Sequence, residues 1–327
     1  MRALLCQSLD GPDSLAITDR PDPVPAAGQA LVRITLAALN FFDTLIVAGR
    51  YQVKPSLPFS PGGEGVGVIE ALGEGVADLA VGQRVVVHAG YGCCAERIAI
   101  DAKKLTPVPE GVPDEQAAGL TITYGTTLHA LANRAKLRPG EWLAVLGASG
   151  GVGLAAVELG ALMGAKVIAC ASSEEKVAAA RAHGAAEGLV YTPETLKDDL
   201  RRITGGAGVD VVYDAVGDAF AEPALRALAW RGRYLVIGFA AGAIPRLPLN
   251  LILLKELDVQ GVHWGAFTER DPEAHRADQE QLLAWVAEGK LTAKVHGVYP
   301  LDEFREAFGL LTRREAVGKV LLRVGGR

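Results

Sequence analysis

The chain has 327 residues, half of them apolar, and a net charge of −5 built from interspersed acidic and basic side chains. That length holds two domains with cores of their own. The bulk charge favours neither nucleic acid nor an anionic membrane surface as a partner, and no uninterrupted run of about 18 apolar residues offers a membrane span.

In chain order, the opening MRALLCQSLDG has too short an apolar part for a secretory signal and reads as a first strand. Gln29–Leu39, Val66–Ala71, Arg84–His88 and Arg97–Ile100 are short β-rich runs between Gly, Pro and Asp turns, which makes the first 120 residues an all-β module. The rhythm then changes. The stretch Trp142–Gly153, WLAVLGASGGVG, is a buried strand followed by small residues and by the apolar-periodic helix Val152–Met163. Strands are expected at Lys166–Ala171, Leu189–Tyr191, Val209–Asp214 and Arg233–Gly238, with helices near Glu174–His183, Glu194–Ile203 and Ala221–Ala229. This alternation predicts a doubly wound parallel α/β sheet over 121–262. The tail holds helical patterns at Asp278–Glu288 and Asp302–Thr312 and a last strand, Lys319–Val324. It is placed in the first domain, which then comprises 1–120 and 263–327. The cysteines, Cys6, Cys93, Cys94 and Cys170, lack a spaced framework and read as buried reduced thiols of a cytoplasmic protein; a redox role for adjacent Cys93 and Cys94 is the alternative.

The strand, glycine turn and helix at 142–163 form the entry to a dinucleotide-binding unit. Gly150 is expected to take a conformation closed to other residues and to let the main chain approach a pyrophosphate. Gly153 lets the helix pack close to the strand, and the helix N-terminus presents free N–H groups to phosphate. Ser149, Gly150, Gly151, Val152 and Gly153 are therefore candidate cofactor residues, although Ala148 stands where the fingerprint has its first glycine. The same letters match G-x-S-x-G, the nucleophile elbow of serine hydrolases. In that reading Ser149 attacks an ester, Asp214 is the acid and His263 or His296 the base. The strand–helix repeat that follows favours the dinucleotide reading.

Further motifs occur in order: Asn40-Phe-Phe-Asp43 with Gly49 and Tyr51; Pro61-Gly-Gly-Glu64-Gly-Val-Gly67; Gly82-Gln-Arg84-Val; Gly92-Cys-Cys-Ala-Glu96; Tyr124-Gly-Thr126; Asp214-Ala-Val-Gly217; and Gly318-Lys-Val. Together they resemble the medium-chain dehydrogenase/reductase superfamily, and within it the zinc-free quinone oxidoreductase (zeta-crystallin-like) group. The resemblance implies a GroES-like β domain completed by the tail, a Rossmann domain, and an active site in the cleft between them. Zinc members use a cysteine and a G-H-E histidine as catalytic ligands; here those positions carry Asn40 and Gly63, so no metal is expected. Glu64 is expected to be a structural carboxylate.

The resemblance also implies that Asn40, Asp43 and Tyr51 line the substrate side, with Asn40 able to donate to a carbonyl gaining negative charge. Asp43 braces a loop in the alternative reading. Leu45 and Val47 replace the polar residues of many relatives and suggest an apolar mouth. Thr126, Gly217, Gly238, Phe239 and Lys319 are expected on the cofactor. The end of the second Rossmann strand, Cys170-Ala171-Ser172-Ser173, has no carboxylate for a ribose 2′-OH. Ser172, Ser173, Lys176 and Tyr191 instead suit a 2′-phosphate, so the expected cofactor is NADPH. The expected reaction is hydride transfer to a quinone. Reduction of an activated C=C bond in an enone or enoyl thioester, and a non-catalytic crystallin-like or RNA-binding role, are the alternatives. A homodimer is expected through the Rossmann domain, near the apolar run Leu247–Leu254, with no nucleic-acid or membrane partner.

Overall fold

The computed structural model describes residues 1–325; the last two residues of the tail lie outside the described residues. The chain divides into two compact units, Met1–Ile122 with the chain from Pro272 onward, and Thr123–Asp271.

In the first unit β1 (Arg2–Cys6) and β2 (Leu15–Asp19) pair antiparallel. β3 (Gln29–Leu39) alternates buried and half-buried residues before its last four turn fully inward. A single-turn helix, α1 (Phe41–Ile46), follows at once. Sequence periodicity does not reveal α1, because six residues are too few to establish a 3.6-residue pattern. Then come β4 (Glu64–Leu72), β5 (Arg84–His88), β6 (Arg97–Asp101), β7 (Leu105–Pro107) and α2 (Asp114–Ala118).

The second unit opens within α3 (Thr121–Leu128), which passes into a π-helical turn at His129–Arg134. It continues as β8 (Trp142–Leu146), α4 (Gly151–Leu162), β9 (Lys166–Ala171), α5 (Glu174–Ala182), β10 (Glu187–Val190) and α6 (Leu196–Ile203). β11 (Val209–Asp214), α7 (Ala221–Ala227), β12 (Leu228–Val236), α8 (Leu249–Lys255), β13 (Asp258–Gly261) and α9 (Trp264–Arg270) complete it. The six strands are parallel in the order β10-β9-β8-β11-β12-β13. That is the 3-2-1-4-5-6 order of a dinucleotide-binding sheet, with its switch point between β8 and β11. β8 and β9 are almost wholly buried apolar runs, as strands covered on both faces must be.

The chain then adds α10 (Pro272–Ala287), β14 (Val295–Pro300), α11 (Phe304–Thr312) and β15 (Lys319–Arg323) to the first unit. β15 pairs antiparallel with β3, Val320 opposite Leu39, in the sheet β14-β15-β3-β4-β5-β7, with β6 also on β3. α10 begins six residues before the expected Asp278, with Pro272 at its first position, where the missing N–H costs nothing. α9 stays with the second unit, although the sequence boundary at 263 assigned it to the first.

The run Leu247–Leu254 is not a buried segment. It contributes α8, whose Leu249, Leu253 and Leu254 are two-thirds or more exposed. All four cysteines are buried and free. Burial pushes the thiols of Cys93 and Cys94 well up, which disfavours the thiolate. Among the described residues no helix is long and apolar enough to cross a membrane.

Candidate active site

In the second unit β8 ends at Leu146 and the chain turns through Gly147–Gly150 into α4. The amides of Gly147 and Ala148 both donate to the Cys170 carbonyl, at 3.0 and 3.1 Å, which ties the turn to the end of β9. Gly153 is the constrained position: a Cβ there would lie 2.1 Å from the Gly147 carbonyl oxygen. Strand end and helix start therefore meet backbone to backbone. Gly150 does not behave as expected. It adopts φ −73°, ψ 170°, an extended conformation open to any residue, and caps the helix. The first intrahelical bond runs from Leu154 N to Gly150 O, so the amides of Gly151, Val152 and Gly153 are left for an outside acceptor. This N-terminus suits a diphosphate through its amides and dipole.

Ser149 is nearly buried in the turn. Two of the residues that would make it a nucleophile, Asp214 and His296, are engaged elsewhere. Asp214 accepts from the amides of Val216 and Gly217, both at 2.8 Å, and from the Tyr234 hydroxyl. Burial raises the Asp214 carboxyl, and those donors pull it back. His296, in the first unit, accepts the Val317 amide at 3.2 Å.

At the end of β9, Ser173 caps α5 by accepting the Lys176 amide at 3.4 Å. The Lys176 ammonium donates to the exposed Ser172 hydroxyl at 3.3 Å. Tyr191 follows β10, its amide bonded to the Ala171 carbonyl and its ring 4.7 Å from that of Phe220. A hydroxyl and an ammonium thus meet at the strand end, and Tyr191 stands beside the same strand. After β12, Phe239 packs over Gly217 of the turn after β11, where an added Cβ would meet the ring at 2.9 Å, and the Gly238 amide donates to the Asp214 carbonyl. Thr126 is half-buried on α3, while its neighbour Thr127 bonds the Tyr213 hydroxyl at 2.9 Å. Sequence reasoning missed Glu158 on α4. Its carboxylate receives Tyr124 Oη at 2.6 Å and meets His183 Nδ1 at 2.5 Å, linking α3, α4 and the end of α5. Burial pushes this carboxyl up, and both partners draw it down.

In the first unit Asn40, between β3 and α1, is 7% exposed. Its Oδ1 accepts from Lys319 Nζ at 2.6 Å, and its Nδ2 donates to Glu64 Oε1 at 2.9 Å. Lys319 and Glu64 also pair directly at 2.7 Å. Glu64 Oε2 takes the Ile122 amide, which satisfies the carboxylate on both sides and makes it the structural group expected. Lys319, expected on the cofactor, is instead buried in this network. Asp43, expected on the substrate side, is 0% exposed; one oxygen accepts the Asn40 amide at 2.8 Å and the other the Gly62 amide at 3.0 Å. It braces the loop, the alternative reading. Burial pushes its carboxyl up to about 7, opposed by the two amides and Lys319. Tyr51 is half-buried against the Phe42 ring, at 5.3 Å, and burial followed by the Asp43 charge raises its phenol. Val47 lies in the core and lines no mouth, because α1 turns it inward.

Residues 26–110 match the alcohol dehydrogenase GroES-like domain family, and residues 151–288 the zinc-binding dehydrogenase family. The chain is 38% identical to quinone oxidoreductase-like protein 2 of Bos taurus over 98% of its length and 92% of the relative's. It is 32% identical to a quinone oxidoreductase of Pseudomonas aeruginosa over 95% and 96% of the two chains. The Escherichia coli quinone oxidoreductase, solved in complex with NADPH, superposes with a TM-score of 0.91 at 30% identity, covering 99% and 100%. The chain belongs to the zinc-free quinone oxidoreductase group of the medium-chain dehydrogenase/reductase superfamily. Its two units are the GroES-like and Rossmann domains of that superfamily, and it is an oxidoreductase with a nicotinamide cofactor.

Zinc does not fit the residues at the superfamily's metal position. Asn40 has its amide committed to Lys319 and Glu64, and a side chain at Gly63 would meet the Phe42 ring at 2.5 Å and Ile122 Cδ1 at 3.0 Å. A histidine there would have to displace both side chains. Among the described residues no cluster of three or more His, Cys, Asp or Glu could hold a metal ion.

Proposed function

We propose that this protein is an NADPH-dependent reductase of quinone-type acceptors that works without a metal. The observation that carries the cofactor assignment is the Lys176–Ser172 pair just after β9, where residues 170–173 hold no carboxylate and the first acids, Glu174 and Glu175, open α5. A 2′-phosphate carries close to two negative charges and takes charge-assisted hydrogen bonds from an ammonium and a hydroxyl. The first-turn amides of α4 hold the diphosphate, and Thr126, Gly238 and Phe239 face the nicotinamide.

When bound, NADPH supplies the hydride. The chain's residues do the rest. Asn40 Nδ2 donates to the acceptor oxygen as that oxygen gains negative charge, the kind of donor that stabilises a developing oxyanion. Tyr51 and Phe42 give the acceptor an aromatic wall. Quinone reduction draws its protons from water, so a dedicated acid is not required. The quinone acceptor is supported by the quinone oxidoreductase relatives; NADPH is supported by the Escherichia coli complex.

Lys176→Ala is expected to weaken NADPH binding by about 1.5–3 kcal/mol, the contribution of one charge-assisted hydrogen bond. At ~1.4 kcal/mol per decade that is about one to two decades. NADH should be nearly unaffected, and the NADPH preference should shrink with salt because the pair is solvent-accessible. kcat/KM for both cofactors on wild type and variant tests this; a wild type that prefers NADH, or an equal loss for both, overturns it. Metal independence predicts that the purified protein keeps its activity after exhaustive chelation. Stoichiometric zinc whose removal abolishes turnover would refute it.

A further inference from the structure

The buried triad Lys319–Asn40–Glu64 is more than a structural ion pair. Four distant segments bring it together: the β3–α1 junction gives Asn40, the start of β4 gives Glu64, the first residue of β15 gives Lys319, and α3 gives the Ile122 amide. The three side chains are not equivalent. Glu64 is 0% and Lys319 3% exposed, whereas Asn40 keeps 7%. Asn40 is the least buried of the three. The Lys319 stem is also confined, since a Cβ at Gly119 would come within 2.8 Å of its Cγ.

The contacts fix the sense of the Asn40 amide. A cation sits 2.6 Å from Oδ1 and a carboxylate oxygen 2.9 Å from Nδ2. Rotating the amide by half a turn would set NH₂ against ammonium and carbonyl against carboxylate, losing both bonds and creating two repulsions in a buried site. Only one Nδ2 hydrogen is used by Glu64. The other Nδ2 hydrogen goes to the Ala38 carbonyl at 3.5 Å, a bond at the limit of length that an acceptor oxygen would replace. The ammonium on Oδ1 also draws electron density through the amide and strengthens the remaining N–H as a donor.

We infer that Lys319 is a positioning residue: with Glu64 it locks and polarises the Asn40 amide so that its second Nδ2 hydrogen points to the acceptor oxygen during hydride transfer. This rests on the proposed role of Asn40 as the oxyanion donor. It assigns Lys319 to the acceptor side of the reaction rather than to the cofactor. The buried cation acts through an amide at the very position where zinc members carry a metal ligand.

The test uses the full chain, NADPH and 1,4-naphthoquinone. Lys319→Met alone leaves a buried carboxylate, so the informative protein is the double variant Lys319→Met/Glu64→Gln. It is neutral and filled, and its glutamine can present either amide end to Asn40. Asn40→Ala is expected to lower kcat by about 10²–10³-fold, as loss of one oxyanion donor does. The double variant is expected to lower kcat by about 10–100-fold, the effect of a misplaced group. Its KM for the quinone and its NADPH Kd, read from nucleotide fluorescence, should stay within about twofold of wild type. Three results overturn the inference. If the double variant turns over at the wild-type rate while Asn40→Ala is slow, the triad is structural only. If its NADPH Kd rises tenfold, Lys319 serves the cofactor. If Asn40→Ala is as fast as wild type, the Asn40 donor itself falls, and the inference with it.

Discussion

Lys319→Met is expected to destabilise the folded protein by about 3–5 kcal/mol, the range seen when one partner of a buried ion pair is removed. The physical reason is the environment of Glu64. Its side chain is fully buried, and with Lys319 gone its negative charge keeps only the Asn40 amide and the Ile122 N–H. Asp43, also fully buried in the same loop cluster, loses the cation that draws its carboxyl down from the raised value set by burial. Adding Glu64→Gln removes the uncompensated charge and should recover most of the loss, because a buried pair replaced on both sides costs far less than a broken one. Chemical unfolding midpoints of the wild type, the two single variants and the double variant measure this. Additive losses in the double variant would mean that the two side chains do not interact energetically.

Gly153→Val is expected to reduce NADPH affinity by more than about 100-fold, or ~2.8 kcal/mol at ~1.4 kcal/mol per decade. A Cβ at this position would lie 2.1 Å from the Gly147 oxygen, 2.8 Å from the Gly147 carbonyl carbon and 3.0 Å from the Ala148 Cα. All three are backbone atoms, so no flexible side chain can yield. α4 must move away from β8, and the amides of its first turn move with it. Overpacking of this kind also costs about 1–3 kcal/mol of stability. Gly150→Ala is the control: its nearest atom is 3.5 Å away and its backbone angles suit alanine. It should fold nearly as wild type. Fluorescence titration with NADPH and a thermal melt distinguish the two; a Gly153→Val protein with wild-type affinity would remove the close-packing argument.

Much of this protein follows from short stretches of its sequence. The run WLAVLGASGGVG determines a strand, a turn and a helix, because apolar periodicity and glycine turns are properties of neighbouring residues. The absence of a carboxylate at the end of β9, beside Ser172 and Lys176, is likewise written locally. So are Asn40 and Gly63 at the places where zinc members carry ligands. Tertiary structure decided what depends on distance in the chain. Lys319 lies 279 residues from Asn40 and 255 from Glu64, yet their polar atoms meet at 2.6 and 2.7 Å. No pattern within a window links them. The pairing follows from β15 and β4 flanking β3 on its two sides, and from the energetic demand that a buried ammonium find a carboxylate. Asp43 shows the same limit. Its spacing from Asn40 is visible in the sequence, but whether a carboxylate faces substrate or loop amides depends on burial, which only packing sets. Glu158 lies on a helix whose apolar run hides it, and gains its meaning from Tyr124 and His183 on two other elements. At Gly150 and Gly153 the letters are identical. Only the approach of α4 to the end of β8 decides which of the two cannot carry a side chain.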